Sequence, residues 1–206
     1  DRSDARDLGL RVSFGMQHAV VSSYDWEPTT LDELVDRAVA MAKVVPEDPY
    51  CGLADTDQLF SGDLPELDIL DSTEPTPEEL IERAKATEEA ARAVEGVTNS
   101  EGAEASWSLS DVTLAASNGF SGSYEVSRHG VGVSVIAGEG TAMERDYEFS
   151  STVHASDLDD STEVGRAAGA RAVKRLNPRK APTSKVPVVY DPVSYTHLTL
   201  PTNREV

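Results

Sequence analysis

Apolar and polar residues alternate over residues 8–14, and a second apolar run covers residues 19–23, with Gly15 between them. A period of two sends successive side chains to opposite faces, so this stretch predicts a β-hairpin. From Thr30 to about Val44 the period lengthens. Leu31, Leu34, Val35, Ala38, Val39 and Ala42 recur at helical spacing and predict a helix with one buried face, capped by Thr30. A hairpin and one helix bury little by themselves, so a partner sheet is expected upstream. Periodicity then fades over residues 45–75, where Pro46, Pro49, Pro65 and Pro75 interrupt a run dense in acids. That stretch predicts a linker or an arm over the surface, with a short strand or turn at residues 64–70.

Helical signals return at Thr76-Pro77-Glu78-Glu79. Thr76 can cap, Pro77 suits the first helical position and Glu79 completes a capping box. The helix should reach Val94, burying Leu80, Ile81, Ala84, Ala91 and Val94, and stop at Gly96. Five alternating runs follow, at residues 103–109, 112–116, 119–127, 131–137 and 143–153. Turn-forming residues separate them at Ser110-Asp111, Asn118-Gly119, His129-Gly130 and Gly138-Glu139-Gly140. They predict an antiparallel meander. A last helix is expected over residues 161–176, ended by Asn177-Pro178, and a last short strand over residues 186–190. Strands bracketed by helices indicate the α+β class, an antiparallel β-meander with flanking helices, preceded by a truncated hairpin-plus-helix module. The domain reading is a truncated N-terminal module at 1–45, an acidic linker at 46–75 and a central α+β module at 76–192.

Composition narrows the partners. The 206 residues carry 18 Lys and Arg against 37 Asp and Glu, a formal charge of −19. Residues 1–100 hold 8 basic and 23 acidic side chains, and the remainder 10 and 14. This sign argues against nucleic acid and against an anionic membrane, both of which select clustered cations. Arg166, Arg171, Lys174, Arg175, Arg179, Lys180 and Lys185 do form a basic stretch. Several fall near a predicted helix C-terminus, where they complement the helix dipole. A single Cys excludes an internal disulfide framework and a multi-Cys zinc site. No apolar run reaches the roughly 20 residues of a membrane helix, and no signal sequence opens the chain. The first residue is Asp1, so the chain is expected to begin inside a longer protein.

The residue types that carry chemistry form no catalytic constellation. His18, His129, His154 and His197 are isolated, with no pair at the spacing of a helical zinc motif, and ordinary surface or hydrogen-bonding roles are expected. Gly130-Val131-Gly132 and Gly138-Glu139-Gly140 lack the third glycine and following helix of a phosphate loop and read as turn glycines. Cys51 has no His nearby in sequence. The densest carboxylate group is Glu139, Glu144, Asp146 and Glu148, of which the last three share one face of a strand. Like charges there repel unless solvated or matched by Arg145, Arg128 or a partner. Arg128, Glu144, Arg145, Asp146 and Glu148 are therefore the candidate contact surface for a peptide or second subunit, the alternative being a wet sheet face. Catalytic and metal residues are expected to be none.

Several stretches resemble the TldD/PmbA family, once described as modulators of DNA gyrase. They are Asp7-Leu8-Gly9-Leu10-Arg11-Val12, Val97-Thr98-Asn99-Ser100-Glu101-Gly102 and Ser117-Asn118-Gly119-Phe120. Ser127-Arg128-His129, Val133-Ser134-Val135-Ile136-Ala137 and Met143-Glu144-Arg145-Asp146-Tyr147 continue the series. Arg175-Leu176-Asn177-Pro178-Arg179-Lys180 and Lys185-Val186-Pro187-Val188-Val189-Tyr190 complete it. Their shared order spans about residues 5–192. The resemblance implies a cytoplasmic two-subunit metallopeptidase acting on unfolded peptides. One subunit, the TldD type, bears a His-Glu-x-x-x-His zinc motif, and the PmbA or TldE type lacks it. The wording Met-Glu-Arg-Asp-Tyr and Asn-Pro-Arg-Lys resembles the PmbA branch. The resemblance thus implies a non-zinc subunit, with zinc held by a TldD-like partner and no cofactor in this chain. A stand-alone acidic interaction module and a gyrase modulator are the alternatives. Residues 193–206 leave the family pattern abruptly. They resemble the translation of a sequencing adapter, which would make His197 non-native and the segment unstructured.

Overall fold

The computed structural model describes residues 2–60, 62, 65–190, 192 and 194. The chain forms two compact units, one of Asp1–Ile69 with Leu109–Val126, the other of Leu70–Ser108 with Ser127–Val206.

In the first unit, strands β1 (Leu8–Phe14) and β2 (Gln17–Ser23) pair antiparallel, Leu8 facing Ser23 and Phe14 facing Gln17. Gly15, at φ +61°, takes the left-handed position of the two-residue turn. Helix α1 (Pro28–Ala42) packs on both strands and buries Leu34, Ala38 and Ala42, spaced by four. Its cap is Glu27 rather than Thr30. Pro28 starts the helix early, because its ring already holds a helical φ and its missing N–H would have no partner in the first turn. The Thr30 hydroxyl instead donates to Asp25 Oδ2, and the Glu27 N–H donates to Asp25 Oδ1, both at 2.9 Å. Beyond α1 the chain is largely irregular, as its prolines predict. Residues 65–70 form no strand, and Leu64 lies outside the described residues.

In the second unit, α2 (Pro77–Arg92) begins with the predicted capping box. The Glu79 N–H donates to Thr76 Oγ1 at 3.2 Å, and the Thr76 N–H donates to the Glu79 carboxylate at 2.7 Å. Thr76→Ala should therefore cost about 1 kcal/mol in denaturant unfolding. The meander has three strands, β3 (Val97–Ala115), β4 (Ser121–Ala137) and β5 (Glu144–Thr152), in the order β3-β4-β5, the stretch Leu109–Val126 of β3 and β4 being counted with the first unit. The five short strands expected from sequence are corrected here. Ser110-Asp111 and His129-Gly130 lie inside β3 and β4, because ladder pairing outweighs the local turn preference of these residues. The true turns hold Gly119 at φ +93° and Gly138 at φ +78°.

Helix α3 (Ser161–Lys174), capped by Asp160, packs on α2 and β5. Ala91, Val133, Val135, Ala137, Ala168 and Ala172 form the core, with Val97, Ala103, Val173 and Leu176 against it. The helices thus cover one face of the sheet. Residues 186–190 are not a strand. The expectation for residues 193–206 falls outside the described residues except at Ser194. Among the described residues no helix is long and apolar enough to cross a membrane.

Candidate functional site

The uncovered sheet face follows from alternation along β4 and β5. Val131, Val133, Val135 and Ala137 are buried, which places Gly130, Gly132, Ser134 and Ile136 on the opposite face. On β5, exposed Arg145, Tyr147 and Phe149 alternate with half-buried Glu144, Asp146 and Glu148. Gly132 faces Phe149 and Ser134 faces Tyr147 across the ladder. The two rings stack with centroids 6.3 Å apart and planes 21° from parallel. A Cβ at Gly132 would lie 3.1 Å from Phe149 Cβ, so the glycine lets the strands keep this close approach. Glu101, Glu104, Gly132, Ser134, Tyr147 and Phe149 line a shallow groove of about 430 Å³. The Glu101 carboxylate accepts from Ser134 Oγ at 2.6 Å and from Arg145 Nη1 at 3.2 Å. The serine bond first, then the guanidinium, holds this carboxyl below its ordinary range.

The five residues singled out in the sequence divide between two faces. Glu144, Asp146 and Glu148 do share one face, but it is the face that carries α3. Glu148 pairs with Arg171 at 2.7 Å, and Asp146 pairs with Arg175 just beyond the helix. The Tyr147 N–H, and then Arg175, keep Asp146 ionised to lower pH than usual. The matching cations therefore come from α3 and its C-terminal end, not from Arg145 or Arg128. Alternation sends Arg145 to the other face, where it meets Glu101. Arg128 Nη1 donates to Ser151 Oγ at 3.1 Å. The usable signal in the sequence was Arg171 and Arg175, four residues apart at the C-terminal end of a helix.

A second polar group was missed. His129 lies within β4 with its side chain fully buried, not at a turn. Its Nε2 is 3.4 Å from Asp71 Oδ2, and among the described residues neither ring nitrogen has a hydrogen-bond partner. Burial lowers the imidazole pKa. Asp71 opposes this, and Arg83 and His154 add to it, so the ring is neutral at physiological pH. Asp71 is a hub. It accepts from the Ala155 N–H at 2.7 Å and the Thr73 N–H at 2.8 Å, and its own N–H donates to Ser127 Oγ at 2.7 Å. The Ser127 hydroxyl in turn donates to the Val153 carbonyl at 3.2 Å. The Ala155 N–H, followed by Thr73, holds the Asp71 carboxyl at about 2. These bonds fasten residues 71–73 and 153–155 to β4. Apart from the turn to Thr73, nothing local in the sequence marks Asp71, whose other partners lie 56 and 84 positions away.

Among the described residues no group of three or more His, Cys, Asp or Glu could hold a metal ion. The described residues do not fit a zinc centre.

This αβββα arrangement can be set beside known proteins. Residues 70–176 match the PmbA/TldA metallopeptidase central domain. The chain is 34% identical over 184 residues to Metalloprotease PmbA of Escherichia coli O157:H7, covering 89% of this chain and 41% of that protein. It is 33% identical over 184 residues to the Metalloprotease PmbA homolog of Haemophilus influenzae, with the same coverage. A candidate modulator of DNA gyrase from Bacteroides thetaiotaomicron has the same fold, at TM-score 0.72, 22% identity and 85% coverage of this chain, 40% of the other. TldE from Thermococcus kodakarensis superposes at TM-score 0.52 with 18% identity, covering 81% and 36%. The chain belongs to the PmbA/TldA metallopeptidase family. It spans 41% of the length of the PmbA relatives.

Proposed function

We propose that this chain is part of the non-zinc subunit, of PmbA or TldE type, in a two-subunit cytoplasmic metallopeptidase. A TldD-like partner holds the zinc and the complex acts on unfolded peptide. The observation that carries this reading is the 34% identity to Metalloprotease PmbA over 184 residues. Among the described residues no group of three or more His, Cys, Asp or Glu could hold a metal ion. Their part is to form a scaffold with an open sheet face. β5 is an outer strand of that sheet, and an extended peptide can add to such an edge through main-chain hydrogen bonds that tolerate many sequences.

The test uses the gene recovered through and beyond the codon for Asp191. Its product should lack His-Glu-x-x-x-His, copurify with a TldD-like protein, and be required with it for hydrolysis of an unfolded peptide. A zinc motif shortly after Tyr190, with one zinc bound per chain, would overturn the non-zinc assignment. Full activity of the partner alone would remove the subunit role.

A further inference from the structure

The groove on the open sheet face has two walls of different chemistry. One is the stacked pair Tyr147 and Phe149, 58% and 61% exposed. The other holds Glu101 and Glu104, with Gly132 and Ser134 between the walls. Arg145 and Ser134 already engage Glu101. Among the described residues Glu104 has no ion-pair partner.

An aromatic face attracts a cation through its quadrupole, and a carboxylate attracts it by charge. A guanidinium can lie flat on a ring while its edge donates to a carboxylate, so one side chain serves both walls. An apolar side chain meets only the rings, and an acidic one is repelled by Glu104. The volume of about 430 Å³ admits one long side chain with its flanking backbone. Net charge alone does not explain such a site. A charge of −19 draws cations to the whole surface, whereas the aromatic wall is confined to this groove.

We propose that this groove binds an arginine- or lysine-bearing segment of an extended polypeptide, with arginine preferred. This deepens the peptidase reading by naming a side-chain class, and rests on that reading only in treating the segment as substrate. The test follows amide resonances of the 206-residue chain while acetyl-Ala-Ala-Arg-Ala-Ala-amide is added at 0.15 M salt, an ionic strength of about the physiological value. Gly132, Ser134, Tyr147 and Phe149 should shift together and saturate. The norleucine-centred peptide should leave them in place. Glu104→Gln and Phe149→Leu should each raise Kd about threefold, since a single exposed ion pair or cation–π contact is weak. Glu33→Gln, at an exposed position of α1, should leave Kd unchanged. Glu104 is exposed, so its variant tests the groove without disturbing the core. Shifts spread over the acidic surface, no saturation, or indifference to Glu104→Gln would overturn the proposal. Such a failure leaves the subunit reading to copurification with the TldD-like protein.

Discussion

Replacing Gly165 with alanine should lower the unfolding free energy by about 3 kcal/mol, against an expected gain from helix propensity of about 1 kcal/mol. The sign rests on one distance. A Cβ at Gly165 would lie 2.2 Å from the Thr87 carbonyl oxygen and 3.0 Å from both Ala90 Cβ and the Ala91 nitrogen. Two of these three neighbours are backbone of α2 and cannot rotate away, so the helices must separate along their contact. Separation would also loosen Ala91, Ala168 and Ala172, which are fully buried. Gly169 repeats the arrangement one turn later, with a Cβ 2.8 Å from the Ala91 carbonyl oxygen. Gly9, where a Cβ meets nothing within 4 Å, is the control. Thermal and denaturant unfolding of the Gly165→Ala and Gly9→Ala chains decide the matter. At a few degrees of melting temperature per kcal/mol, Gly165→Ala should melt roughly 6–12 °C lower. Equal or higher stability for Gly165→Ala would show that α2 and α3 are not seated this closely.

Acidification from pH 7 to pH 5 should destabilise the fold, and His129→Gln should remove much of that dependence. The imidazole pKa is lowered in the folded state, by burial above all. The unfolded chain therefore binds a proton more readily. Stability is fully present above the unfolded value of about 6.5 and falls as pH drops through it toward the folded pKa. One such group gives a slope of at most about 1.4 kcal/mol per pH unit across that window. His129→Gln keeps a polar group of similar reach and removes the titration. The measurement is the unfolding midpoint at half-unit pH steps, with the native and variant curves subtracted so that other histidines cancel. Parallel curves would reject a titrating role for His129. Asp71 acts lower on the scale. Its carboxyl is held at about 2, so its contribution is present above about 3.8 and fades as pH falls toward 2. Two acid limbs, one near pH 6 and one near pH 3, are the combined expectation.

Much of this architecture was legible along the chain. The β1–β2 hairpin, the three helices and the capping box at Thr76 follow from local rules, since each depends on contacts within a few residues. The meander was legible in kind but not in length. Asp111 and Gly130 are turn formers by local preference, yet they continue long strands because a neighbouring strand satisfies their backbone groups. The candidate site was legible only as composition. Glu144, Asp146 and Glu148 were correctly placed on one face by a period of two. Which face that is depends on α3, which lies more than ten residues further along and brings Arg171 and Arg175 to meet them. His129 shows the same limit more strongly. A histidine before a glycine reads as a turn, and only burial in the folded unit, working against the nearby Asp71 carboxylate, makes it a neutral group.

Local propensity and hydrophobic period by themselves determined the α+β class, the starts of α2 and α3 and part of each inward face (Val35 and Ile81, expected inward, are exposed), and ordered motifs over about residues 5–192 determined the family. Tertiary structure decided which sheet face is covered, which carboxylates are neutralised, and where an aromatic pair meets Glu101 and Glu104 across a glycine. The physical reason is range. Caps and alternation act over a few residues, whereas burial, ion pairing and the opening of a groove join positions tens of residues apart, and their energies exist only once the core has closed.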